Sequence, residues 1–170
     1  MSPAGIVSII AIVAALGVVL LMGPALIPWL RRIKAGQTIR DDGPQSHLSK
    51  AGTPTMGGIM MITAILVVVF LMAGWDLKAV AALLALTAFG AIGFWDDYIK
   101  VVLKRSLGLR ARVKIVLQLL LGVVIIGILQ YLGRGTEIII PFCGAAIDLG
   151  WFYYPFVLFV LVGVPNAVNL

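Results

Sequence analysis

Two adjacent acids, Asp96 and Asp97, follow a run of apolar residues and are the first candidates for chemistry in this chain. Lys100 lies four residues after Asp96 and three after Asp97, so a continuing helix would place its ammonium group near both carboxylates. Neighbouring carboxylates repel each other and persist most easily beside water, a cation or a metal. A pair at the end of an apolar helix is therefore suited to accept a proton or to bind a cation. Ordinary Asp–Lys pairing at a polar helix end is the alternative, and these residues alone leave both interpretations open.

The elements that must position this pair are membrane helices. The chain has 170 residues, of which 62% are hydrophobic and 12% charged, whereas soluble domains are about 45–50% apolar and about 25% charged. No charged side chain occurs in residues 1–30, 51–75, 79–95, 115–133 or 149–170. Because a helix needs about 20 residues to cross the hydrocarbon core, the sequence predicts an all-α integral membrane protein with about five spans.

The basic residues predict how these spans are oriented. Eleven of the thirteen lie in two loops, residues 31–50 and 100–114. The positive-inside rule then places both loops in the cytoplasm and the N-terminus outside, so Asp96 and Asp97 face the cytoplasm. Although the formal charge is +6, its confinement to loops beside apolar spans argues against nucleic-acid binding. The single cysteine, Cys143, excludes an internal disulfide.

The spans can be placed approximately along the chain. The first is predicted at about residues 6–29 and the third at about 79–95, while the second, fourth and fifth end near residues 75, 132 and 164. Residues 106–108 read as a turn. Outside the membrane, residues 136–140 and 146–152 predict a short β-hairpin before the fifth span, with Gly144 in its turn. The sequence shows no soluble domain and no internal repeat.

The first cytoplasmic loop ends in a segment that can bind an anion. Thr53 before Pro54 predicts a helix N-cap followed by the first helical residue of the second span. Free N–H groups at such a helix start attract anions, and Lys50 could reach a phosphate there. Gly57 and Gly58 would allow a ligand to approach the backbone closely. On this segment alone, a capped helix start with small residues for helix packing is the favoured alternative.

Three motifs together resemble those of the phospho-N-acetylmuramoyl-pentapeptide transferases, within the polyprenyl-phosphate hexosamine-1-phosphate transferase superfamily. They are QSHLSKAGTPTMGG at residues 45–58, GFWDDYIKV at 93–101 and NAVNL at 166–170. The motifs occur in order and at one predicted membrane face, and the resemblance covers essentially the whole chain. The first of them distinguishes this family from the related hexosamine-phosphate transferases.

The resemblance implies a reaction, a metal and a location. The reaction moves phospho-N-acetylmuramoyl-pentapeptide from its UDP-linked precursor to undecaprenyl phosphate, giving lipid I and UMP in peptidoglycan synthesis, and it requires Mg²⁺. The implied location is the bacterial inner membrane, as a multi-pass protein with its active site on the cytoplasmic face. The expected partners are UDP-N-acetylmuramoyl-pentapeptide, undecaprenyl phosphate and membrane lipid. The sequence leaves a homodimer open.

The resemblance also implies roles for individual residues. Asp96 and Asp97 would be catalytic: Asp96 would deprotonate or orient the lipid phosphate, and Asp97 would support the metal or its waters. Four further residues are expected to bind substrate, and they are Lys50, Thr55, Lys100 and Asn169. Lys50 and Thr55 would contact phosphate or nucleotide, Lys100 would hold the uridine diphosphate end, and Asn169 would line the same cleft.

The chain is shorter than the members of the family that it resembles. The family has ten membrane spans and this chain predicts five, so residues 1–170 are expected to form a single transmembrane region, the N-terminal half of the enzyme. The main magnesium ligand is then expected beyond residue 170, and the chain alone is expected to be inactive.

Two alternative functions stay open. Half of a transporter or flippase would carry polar residues deep within its spans, and a purely structural membrane module would tolerate loss of Asp96 or Lys50.

Overall fold

The structure is a computed structural model that describes residues 3–32, 55–105, 107–140 and 143–168. In chain order its elements are α1 (Pro3–Arg32), α2 (Gly58–Ala73), α3 (Leu77–Val102), α4 (Ala111–Tyr131), β1 (Glu137–Ile139), β2 (Ala146–Asp148), a 3₁₀ turn (Gly150–Phe152) and α5 (Tyr153–Val168). The predicted class, an all-α protein of five helices with a small hairpin before the fifth, is confirmed.

The helices have the length and surface of membrane spans. Within the described ranges, four segments are long and apolar enough to cross a membrane: Gly5–Arg32, Leu77–Val102, Ala111–Tyr131 and Gly150–Ala167. Large apolar side chains point outward along them, as Leu21 does with 82% of its surface exposed. Such an apolar surface is unfavourable in water but favourable in lipid. Each helix also satisfies its own backbone hydrogen bonds, which a membrane span requires. The chain is a multi-pass membrane protein.

The second helix begins later than the sequence predicts. The start predicted at Pro54 is wrong, since α2 begins at Gly58 and has 16 residues. The reason is Met56, whose φ of 68° lies in the left-handed region that a right-handed helix cannot include. Thr53 and Pro54 themselves lie outside the described residues. At 1.5 Å per residue α2 extends about 24 Å, somewhat less than the hydrocarbon core of about 30 Å.

One compact unit, Met1–Arg110, contains α1, α2 and α3. In it α1 packs on α2 and α2 packs on α3. The turn between α2 and α3 is short, so the two helices run antiparallel. Gly90 allows them to approach, because a Cβ there would collide with the Ile62 side chain. Counting from this contact toward the start of α2 and the end of α3 brings Gly58 level with Phe94. The start of α2 and the end of α3 therefore lie on the same side.

The second compact unit, Ala111–Leu170, contains α4, the hairpin and α5. Its two helices pack closely at Gly122, where a Cβ would lie 2.8 Å from the Leu158 side chain. A hydrogen bond also joins them: the Asn166 amide donates to Gln118 Oε1 at 2.6 Å and to the Val162 carbonyl at 2.7 Å. Gln118 is only 2% exposed. A polar bond of this kind between membrane helices contributes about 1 kcal/mol.

The hairpin is present but shorter than predicted. β1 and β2 are antiparallel, with Glu137 opposite Asp148. The second strand ends at Asp148 because that carboxylate accepts the Gly150 N–H at 2.9 Å, which closes a local turn in which Gly150 has φ 51°. The Thr136 hydroxyl and the Gly150 amide both donate to Asp148 and hold the pKa of its carboxyl below the ordinary value.

The orientation inferred from the basic loops can be checked with thiol labelling. Cys143 is exposed and lies on the side predicted to be external, so a membrane-impermeant maleimide should label it in spheroplasts. In a Cys143→Ser background, the exposed loop position Leu107→Cys should be labelled only after permeabilisation. Labelling of Leu107→Cys in intact spheroplasts would show that the orientation is reversed.

Candidate active site

The third helix is long enough to cross a membrane, and both acids lie near its C-terminal end. It begins with a capped turn, since the Asp76 carboxylate accepts the Ala79 N–H at 2.9 Å. Asp96 lies nineteen positions after Leu77, which corresponds to about 29 Å of helix and matches a hydrocarbon core of about 30 Å. The helix then continues to Val102. By this length Asp96 and Asp97 fall where α3 would leave a bilayer, as their position after an apolar run predicts.

The structure brings Asp96, Asp97 and Lys100 together, and we call these three residues the acid–lysine cluster. The Lys100 ammonium lies 2.6 Å from Asp96 Oδ2 and 3.5 Å from Asp97 Oδ1. Both contacts follow from the spacing of four and three residues on one continuous helix. A single cation therefore offsets the repulsion between two neighbouring carboxylates, with the shorter bond to Asp96.

The two acids differ in their surroundings. The Asp96 side chain is 7% exposed, whereas that of Asp97 is 32% exposed. Each Asp96 oxygen has a partner, because Oδ2 bonds Lys100 and Oδ1 accepts the Leu109 N–H at 2.8 Å. A buried carboxylate is stable only when it is paired and hydrogen-bonded in this way. Among the described residues Asp97 makes only the longer contact to Lys100, and its greater exposure makes it the carboxylate more accessible to a ligand.

The chain reverses after α3 and returns to Asp96. Lys104 has φ 51°, and the Arg105 N–H donates to the Ile99 carbonyl at 3.4 Å, which are the features of a Schellman-type helix end. The Gly108 N–H then donates to the Arg105 carbonyl at 3.0 Å. These turns aim the Leu109 N–H at the Asp96 carboxylate, thirteen residues earlier in the chain.

Gly108 lies against the cluster with no room for a side chain. Its φ is 59°, and a Cβ built on it would collide with the Asp96 carboxylate and approach Lys100 Cε to 2.7 Å. The sequence predicts only that residues 106–108 form a turn, and Ser106 lies outside the described residues. Gly108 thus predicts a turn from the sequence, but nothing in the sequence predicts that the Leu109 amide bonds Asp96.

Of the three other predicted substrate-binding residues, the structure describes only Thr55. Thr55 is half-buried and lies three residues before α2 begins, at the end of α2 that shares a side with the end of α3. Lys50 and Asn169 lie outside the described residues, so their roles stay predictions. Asn166, from the same predicted motif as Asn169, braces α4 against α5 through Gln118.

Comparison with known proteins places this site in a family. Residues 79–170, which include the acid–lysine cluster and the turn after it, match the family model described as glycosyl transferase family 4. The chain belongs to this family. Its members are transferases by description, so the cluster at the end of α3 lies in the matched part of a glycosyl transferase family 4 protein.

Several bacterial proteins named phospho-N-acetylmuramoyl-pentapeptide-transferase are similar to the chain. The one from Desulfitobacterium hafniense is 51% identical over 164 residues, which is 95% of this chain and 49% of that protein. The one from Thermoanaerobacter sp. is 49% identical over 165 residues, 95% of this chain and 51% of that protein. The one from Bacillus subtilis is 47% identical over 154 residues, 88% of this chain and 48% of that protein.

These comparisons confirm the predicted resemblance and its extent. The chain spans about half the length of the curated relatives it matches. Within glycosyl transferase family 4 it is therefore similar to proteins named for one transfer reaction, and it corresponds to about half of each of them.

Proposed function

We propose that these residues form the N-terminal half of a phospho-N-acetylmuramoyl-pentapeptide transferase in the bacterial inner membrane. The reaction joins UDP-N-acetylmuramoyl-pentapeptide to undecaprenyl phosphate and yields lipid I and UMP. A phosphate oxygen of the lipid attacks the phosphorus next to the sugar; a new pyrophosphate bond forms and the bond to UMP breaks. The active site faces the cytoplasm, where the nucleotide substrate is dissolved.

One observation carries this proposal: two carboxylates and a shared cation lie near the end of an apolar helix that is long enough to cross a membrane, in a glycosyl transferase family 4 chain. A lipid phosphate is held at that depth by its own hydrocarbon tail. A water-soluble nucleotide can reach the same depth from the cytoplasm. The cluster therefore lies where both substrates can meet, and it does not line the middle of a span, where an ion pathway would need it.

The geometry distinguishes the two acids. Both Asp96 oxygens are held, by Lys100 and by Leu109, which favours orienting the lipid phosphate over taking its proton. Asp97 is more exposed and presents its carboxylate outward. Lys100 is 30% exposed, so its ammonium can turn toward the diphosphate when the nucleotide binds. Thr55, three residues before α2, would contact phosphate or nucleotide on the same side.

The acids present are compatible with Mg²⁺ as part of a larger ligand set. Mg²⁺ takes six oxygen ligands and is often bound by one or two carboxylates together with substrate phosphates. Asp97 offers one accessible carboxylate, and the described ranges contain no group of three or more His, Cys, Asp or Glu side chains that could hold a metal. When bound, the ion would neutralise phosphate charge, and Asp97 would hold it or its waters.

The test is an assay of product formation by the full-length protein, purified in detergent and freed of native lipid carrier. Radiolabelled UDP-N-acetylmuramoyl-pentapeptide should yield a butanol-extractable lipid and an equal amount of UMP. Omission of undecaprenyl phosphate should prevent both, and so should chelation of divalent cations. A transporter would instead move one substrate across the membrane without releasing UMP, and that outcome would contradict the proposal.

A further inference from the structure

We propose that the turn at residues 107–109 is a positioning device: the Leu109 amide and the side-chain-free Gly108 hold the Asp96 carboxylate, and through it Lys100, in the arrangement the reaction uses. In so far as it concerns catalysis, this inference rests on the proposed function. It assigns a role to two residues outside the motifs identified in the sequence.

The first support is the completeness of the bonding around Asp96. Its Oδ2 bonds Lys100 at 2.6 Å and its Oδ1 accepts the Leu109 N–H at 2.8 Å. With only Lys100 as partner, the carboxylate could rotate about its side-chain torsions while keeping one flexible ion pair. A second bond from a backbone amide, on the opposite oxygen, fixes its plane.

The second support is the fit of Gly108. Its backbone lies so close to the cluster that a Cβ would overlap the Asp96 carboxylate and press on Lys100. Its φ of 59° is also a conformation that favours glycine. Both properties are needed for the Leu109 amide to reach Asp96, because any side chain at 108 would push the turn away from α3.

The consequence concerns Lys100 more than Asp96. The ammonium lies between two carboxylates at unequal distances, 2.6 Å from Asp96 and 3.5 Å from Asp97. While Asp96 is held in place it keeps Lys100 on its own side, and Asp97 stays exposed. If the turn releases Asp96, Lys100 can shift toward Asp97 and cover the carboxylate that is open to ligands. Gly108 and Leu109 therefore act through Asp96 and Lys100 and need not touch substrate.

The hydrogen bond can be tested without any activity measurement. Exchange of the Leu109 amide with deuterium, measured by NMR on leucine-labelled protein in nanodiscs, should be about tenfold faster in Asp96→Ala than in wild type. Asp97→Ala is the matched control, because it removes the neighbouring charge but no bond to the turn, and exchange at Leu109 should be unchanged. Equal exchange in the two variants would overturn the assigned hydrogen bond.

The positioning role is tested by kinetics of the full-length enzyme. Gly108→Ala should lower kcat by about 100-fold through displacement of the cluster, and KM for the nucleotide should rise because Lys100 is displaced with it. Gly133→Ala is the matched control: Gly133 also has a positive φ, of 74°, but a Cβ there meets no atom within 4 Å. It therefore carries the same backbone strain and should keep wild-type kcat.

A third variant separates strain from crowding. Asparagine tolerates positive φ better than alanine but still has a Cβ, so Gly108→Asn should be impaired like Gly108→Ala. Full activity of Gly108→Asn would overturn the proposal. So would normal kcat in Gly108→Ala combined with fast exchange at Leu109, because the bond would then be broken without any loss of turnover. Absence of transferase activity in wild type would refute the proposed function instead, and the exchange comparison would still decide whether the turn holds Asp96.

Discussion

Asp96→Asn in the full-length transferase should abolish lipid I formation, with turnover reduced by about 100-fold or more. Asparagine keeps the size of the side chain and an oxygen that can accept the Leu109 N–H, but it removes the charge that holds Lys100 at 2.6 Å. The Lys100 ammonium is then free to move toward Asp97, which lies 3.5 Å from it in the wild-type structure, and to neutralise that carboxylate. The measurement is the initial rate of UMP release at saturating substrates.

Two further variants make this result specific. Asp76→Asn places the same chemical change at the other end of the same helix, where asparagine is an equally good N-cap, so activity should be retained. Asp97→Asn should also lower turnover, and it should raise the Mg²⁺ concentration needed for half-maximal rate if Asp97 supports the metal. Substantial turnover by Asp96→Asn, or an equal loss in Asp76→Asn, would remove Asp96 from the mechanism.

The parts of this protein that the sequence predicts correctly are those decided by local spacing. Five helices follow from uncharged runs, because a membrane span has to be long and apolar whatever its neighbours are. The acid–lysine cluster follows from the spacing of Asp96, Asp97 and Lys100, because one helix turn brings these positions together. Neither prediction depends on how distant segments of the chain meet.

The parts that the sequence misses depend on single backbone conformations or on distant contacts. Met56 adopts a left-handed conformation that no propensity predicts for methionine, so α2 begins at Gly58 instead of Pro54. The Leu109 amide reaches Asp96 only because Lys104 and Gly108 both have positive φ. The hydrogen bond between Gln118 and Asn166 joins residues 48 positions apart, and no local pattern in the sequence predicts that these two amides meet.

Residues 1–170 expressed alone should insert into the membrane and yet release no UMP. Insertion needs no partner, because each helix satisfies its own backbone hydrogen bonds in lipid. Catalysis needs more: the described residues hold no group of three or more metal-binding side chains, and the relatives that share this region are about twice as long. Reactants left loosely placed at two carboxylates would react slower by orders of magnitude.

The experiment compares three preparations. Carbonate extraction should show residues 1–170 in the membrane fraction, and assay with Mg²⁺, the nucleotide substrate and undecaprenyl phosphate should give no UMP above background. Co-expression with the other half of the transferase as a separate chain should restore part of the activity, since helices that insert independently can associate afterwards. The same co-expression with Asp96→Asn should restore none, which ties the recovered turnover to the acid–lysine cluster. Turnover by residues 1–170 alone, at a rate near that of the full-length enzyme, would mean that the acid–lysine cluster and its neighbours already form a complete site.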